Sequence, residues 1–134
     1  MANALYNKGR EAFMSGSINM SSDTIKVVLV DSADYTVNLA THQFFSSVAG
    51  AGVVATATLA SKTVTDGIFD AADVTFTSVT GDPSEALVIY KDTGSNATSP
   101  LIAYIDTATG LPVTPNGGNI TVTWDNGTNK IFKL

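Results

Sequence analysis

The sequence predicts a mainly β protein, a β-sandwich of jelly-roll-like character with a short N-terminal helix, and three observations lead there. Short runs of β-branched and aromatic residues recur between clusters of Gly, Pro, Asn and Asp, giving about seven to nine strands with no helical period between them. Many of these runs alternate an apolar residue with threonine, as in Val53-Val54-Ala55-Thr56-Ala57-Thr58-Leu59 and Asp73-Val74-Thr75-Phe76-Thr77, the pattern of a strand with one wet face. The closing stretch from Ile120 to Leu134 reads as one β-hairpin running to the last residue. In it Ile120, Val122 and Trp124 alternate with Thr121 and Thr123, and Asp125-Asn126-Gly127 supplies the positive-φ residues of a tight turn.

The elements follow in order. Residues 1–16 predict a helical segment that packs on the sheet or on a neighbouring subunit: Leu5, Ala12 and Phe13 stand at i, i+7 and i+8 with Tyr6 beside them. Asn3 is placed to cap this helix, Gly9 weakens its middle, and Gly16 ends it. Thr24-Ile25-Lys26-Val27-Val28-Leu29-Val30 is apolar on both faces and predicts a central strand. Asp31 to Thr41 reads as a polar connection containing Tyr35, followed by His42 and a short helical turn at Gln43-Phe44-Phe45. Lys62 to Thr65 and Ile68 to Asp70 predict a strand broken by Asp66-Gly67. Gly81-Asp82-Pro83 is a turn. Ala86 to Tyr90 and Leu101 to Ile105 are strongly apolar and predict a buried hairpin, with Thr93-Gly94-Ser95-Asn96 between them. Thr107 to Gly118 reads as a long exposed connection. No linker, repeat or composition break divides the chain, so residues 1–134 are expected to form a single domain.

Composition narrows the function. A chain of 134 residues without cysteine has no disulfide or thiolate chemistry and rests on packing and strand pairing. Its net charge is −5 and its charged fraction 14%, below the roughly one quarter usual for soluble domains. The cations, Lys8, Arg10, Lys26, Lys62, Lys91, Lys130 and Lys133, are scattered singly and make no basic stripe, so no nucleic-acid partner is expected. No run approaches the length of a membrane span and the opening residues lack the apolar core of a signal peptide, so no membrane partner is expected and the chain is taken to be made in the cytoplasm. With 44% hydrophobic residues and so few charges, part of the surface is expected to be covered by an assembly partner.

Candidate chemistry is sparse, and the reading is of a protein that is not an enzyme and needs no cofactor. Asp66, Asp70 and Asp73 could place oxygens around a calcium ion, but the stretch lacks the D-x-D-x-D-G loop, and aspartates capping turns explain them without a metal. His42 has no nucleophile elbow to accompany it. The only glutamates are Glu11 and Glu85, the first in the helix, which leaves no evident acid pair for sugar hydrolysis. Tyr90, Tyr104 and Trp124 could form a sugar platform, yet they stand in apolar strands and are better read as core. Tyr35, Phe44 and Phe45, in a polar stretch, and Leu5, Tyr6 and Phe13, in the N-terminal segment, lie outside the main strand pattern and are the expected partner contacts.

Three stretches carry a resemblance: Ala4-Leu5-Tyr6-Asn7-Lys8-Gly9-Arg10-Glu11-Ala12-Phe13, then Asp23 to Asp31, then the ending from Leu101-Ile102-Ala103-Tyr104-Ile105-Asp106 to Asn126-Gly127-Thr128-Asn129-Lys130-Ile131-Phe132. Together they resemble small virion structural proteins of tailed bacteriophages, of the capsid cement or decoration type, over almost the entire chain. The resemblance implies a part of the capsid surface that binds over joints of the major capsid protein and stabilises the head, as a trimer or another symmetric oligomer. It transfers no catalytic residue. The competing expectation is a tail, baseplate or fibre-associated module that recognises another virion protein or a host glycan.

Overall fold

Ile25-Lys26-Val27-Val28-Leu29-Val30 has almost nothing to offer water, so a fold containing it as a strand must cover both of its faces. The computed structural model describes residues 4–50, 52–108, 110–125, 127–128 and 130–134 and does this. In chain order the elements are β1 (Ala4–Leu5), α1 (Asn7–Met14), β2 (Ile25–Val30), a 3-10 turn (Phe45–Ser47), β3 (Val53–Thr58), β4 (Thr63–Thr65), β5 (Ile68–Asp70), β6 (Val74–Phe76), β7 (Ala86–Lys91), β8 (Leu101–Ile105), β9 (Ile120–Val122) and β10 (Phe132–Lys133). They form antiparallel sheets of five strands (β1-β8-β7-β2-β3), three strands (β10-β5-β4) and two strands (β6-β9), and the sheets do not close into a barrel among the described residues.

The five-stranded sheet lies at the centre. Register sorts its side chains by face: Val27 stands opposite Ile89 and Leu29 opposite Leu87, while Val28 stands opposite Val88 and Val30 opposite Ala86. The first set joins Leu5, Ala103 and Ile105 in one core with Phe69, Val74, Phe76, Ile120, Val122, Trp124 and Ile131, which come from the two small sheets and the chain beside them. The second set joins Tyr6, Tyr90, Leu101 and Tyr104 in another core, which the β2–β3 connection closes with Tyr35, Phe45 and Val48. Each fully buried Val or Leu contributes about 1.5–3 kcal/mol, so both cores matter to stability.

That connection is the main departure from the sequence reading. Adjacent antiparallel strands can be joined by two residues, whereas residues 31–50 cross the sheet as a strap. It is tied by Asn7 N–H to Leu39 O at 2.8 Å, Leu101 N–H to Gln43 O at 2.9 Å and Phe45 N–H to Ser99 O at 2.8 Å. The helical turn expected at Gln43–Phe45 begins at Phe45 instead.

Two further expectations are corrected. The N-terminal helix starts at Asn7, because Ala4 and Leu5 are strand paired with Tyr104 and Ala103; Tyr6 occupies the N-cap, and Asn3 lies outside the described residues. The closing stretch is not a hairpin. β9 pairs with β6, with Thr75 opposite Thr121, and β10 pairs with β5, with Phe132 opposite Phe69. The physical reason lies at Trp124, whose backbone N–H donates to Asp73 Oδ1 and whose indole N–H donates to Ala72 O, both at 3.0 Å. These bonds hold the end of β9 against the start of β6. Asn126, in the expected turn, lies outside the described residues. The break at Asp66-Gly67 is a true hairpin turn: both residues have positive φ, 55° and 76°, the geometry that favours Gly and tolerates Asp between right-twisted strands.

Candidate functional site

Gly9 seats the N-terminal segment. A Cβ at this position would stand 2.6 Å from Leu101 O and 3.2 Å from Ile102 Cα, so only glycine lets α1 lie against the backbone of β8. The N–H of Tyr6 donates to Ile102 O at 3.0 Å, and β1 pairs with the same strand, so the first described residues close its outer edge.

Tyr6 then enters the second core, where its hydroxyl meets that of Tyr35 at 2.8 Å. The Tyr35 hydroxyl stands 2.9 Å from His42 Nδ1, which also accepts the Asn38 N–H at 3.3 Å. A backbone N–H can only donate, so Nδ1 carries the lone pair, Tyr35 donates to it, and Tyr6 donates to Tyr35. Burial pushes the Tyr6 hydroxyl pKa far up, reinforced by the Tyr35 hydrogen bond, and burial raises that of Tyr35 as well. Phe45 stacks on Tyr90 with ring centroids 3.9 Å apart.

The expected partner contacts thus separate. Leu5, Tyr6, Tyr35 and Phe45 are buried and pack within this chain, whereas Phe13 and Phe44 are half-buried. For Tyr6, Tyr35 and Phe45 the departure from the strand pattern reflects a second core, closed by the strap, whereas Leu5 packs in the first core. Tyr90, Tyr104 and Trp124 are also interior.

The acidic groups are likewise rearranged. Asp73 caps the turn at Trp124, and Asp66 sits in the β4–β5 turn. Among the described residues, the group of three carboxylates that lie within 4.8 Å of one another is Asp31, Asp34 and Asp82, brought together from the start of the strap and the Gly81-Asp82-Pro83 turn. Separation in sequence hid this cluster. Glu11 pairs with Lys8 at 2.9 Å, and Glu85 accepts from both the N–H and the hydroxyl of Ser32. At the far end of the central sheet Lys26 meets Asp92 at 2.8 Å and Lys91 meets Asp23 at 3.2 Å. The Lys26 ammonium, then the Gly94 N–H, hold Asp92 below the usual carboxylate range. Burial acts to raise Asp23, but the Asn19 N–H and Lys91 outweigh it and the net direction is down.

One apolar surface remains open. The exposed large hydrophobic residues among those described are Met14, Val64 and Leu134. Val64 and Leu134, 52% and 60% exposed, line a cleft of about 360 Å3 with Phe13, Ile18, Met20 and Phe132, and no charged side chain lines it. Val64 was not legible as a contact, because Thr63-Val64-Thr65 looks like any threonine-alternating strand.

No helix among the described residues is long and apolar enough to cross a membrane. No protein-family model matches the chain, and no curated protein matches it in sequence.

Proposed function

We propose that this chain is a structural protein of a tailed-bacteriophage virion, a capsid cement or decoration protein with a jelly-roll-like β-sandwich architecture. It binds over joints of the major capsid protein on the capsid surface, after synthesis in the host cytoplasm, and stabilises the head without catalysing a reaction. The observation that carries the reading is a central sheet packed on both faces and closed at the β8 edge by the chain's own N-terminal segment. Such a plate resists deformation, and repeated weak contacts over a lattice multiply its hold on a shell. The accessible apolar residues Phe13, Met14 and Phe44 form the shell-facing contact in this reading, and a trimer or another symmetric oligomer matches repeated joints.

Quantitative mass spectrometry of purified virions tests this. A copy number near that of the major capsid protein, or a simple fraction of it, is expected. A few to a few tens of copies, in the sets a tail fixes by symmetry, would move the chain to a tail or baseplate module, and absence from the particle would overturn a virion role.

A further inference from the structure

β4 is the last strand of its sheet, and Thr63, Val64 and Thr65 are all exposed. The two-residue turn makes Thr65 and Ile68 a hydrogen-bonded pair, which leaves Val64 and Phe69 as the next, non-bonded pair. Phe69 confirms this on its far side, where its carbonyl accepts the Ile131 N–H at 3.1 Å. The N–H and C=O of Val64 therefore point outward, away from β5. The strand carries no proline, charge or bulge to discourage pairing.

We propose that β4 pairs antiparallel with β4 of a second copy of this chain, about a twofold axis at Val64, joining two three-stranded sheets into one of six. Centring the axis at Val64 sets every pair. Val64 exchanges both backbone hydrogen bonds with the partner's Val64, Thr63 faces the partner's Thr65, and Lys62 faces the partner's Asp66. Threonine pairs and opposite charges are the favourable cross-strand combinations. Lys62 donates to Asp23 O within its own chain and keeps further protons for the second contact. The half-exposed Val64 side chains meet on the cleft side of the sheet, so two clefts without charged side chains become one surface. A strand of three residues gives a weak, reversible dimer, with Kd about micromolar or above. The contact is independent of any shell, so its failure would leave the decoration reading standing.

The test is sedimentation equilibrium of the full chain over a dilution series, with amide exchange of Val64 followed at both ends of it. A monomer–dimer equilibrium is expected, with Val64 exchange slowed where dimer dominates. Val64→Pro, which removes an N–H the monomer does not use, and Val64→Lys, which sets like charges face to face, should both lose the dimer while keeping the far-UV spectrum. A chain that stays monomeric throughout, as it would if the edge served a strand of another protein, overturns the proposal. So does a dimer that survives both substitutions, or one in which Val64 exchange is unchanged.

Discussion

The three side chains Tyr6, Tyr35 and His42 tie the N-terminal segment to the strap through hydrogen bonds with one consistent direction. Tyr35 is both acceptor and donor in that chain, so its hydroxyl holds two links and that of Tyr6 only one. Tyr35→Phe is expected to lower unfolding stability by about 2 kcal/mol and Tyr6→Phe by about 1 kcal/mol, with the double variant short of the sum because the two share a bond. Urea midpoints of the three variants check this. Additive losses would mean that the hydroxyls act separately. Tyr6 and Tyr35 were visible in the sequence only as residues off the strand pattern. The polar letters around Tyr35 belong to the outer side of the strap, and nothing in their order states that the segment folds back over an apolar sheet. Val64 was hidden for the opposite reason, since alternation cannot tell a core-facing valine from one that overhangs the core.

Among the elements, α1 shows how a local weakness can have a packing cause. Glycine inside a helix costs about 1 kcal/mol relative to alanine, and by that rule alone Gly9→Ala would stabilise the protein. Contact with Leu101 O reverses the sign: the added methyl must displace α1 from β8, at a cost of about 1–3 kcal/mol that outweighs the propensity gain. A lowered thermal midpoint is the expected result, and a raised one would mean that α1 is not seated on β8. The strands β2, β7 and β8 were legible because continuous apolar runs leave no face for water. The partners of β9 and β10 were not, because a period of two identifies a strand and says nothing about its neighbour. That choice rests on Trp124 and its bonds to Asp73 and Ala72, which are distant in sequence.

For the molecule as a whole, the four tyrosines report the integrity of the second core, on one face of the central sheet. Burial is the leading cause that raises the pKa of Tyr6, Tyr35, Tyr90 and Tyr104 above the ordinary value of 10.0. The folded state therefore keeps phenolic protons that the unfolded chain releases above pH 10, and stability falls as pH rises past that point. Phenolate absorbance is expected to appear in one step that coincides with loss of the far-UV signal. Early ionisation of any tyrosine in a folded chain would show that its core admits water. The sequence anticipated a mainly β protein with one short helix, but not the division of its interior into two cores, since that depends on where residues 31–50 travel. The pairing of Leu5 with Ala103 also bears on how the protein is made. A ribosome delivers the N-terminal segment long before β8, so a nascent chain holds its first strand and the seat-seeking face of α1 unmatched until Leu101 to Ile105 emerge. Chains halted before that point lack the strand on which their own beginning must rest, and release of the late segment completes the fold at both ends of the sequence together.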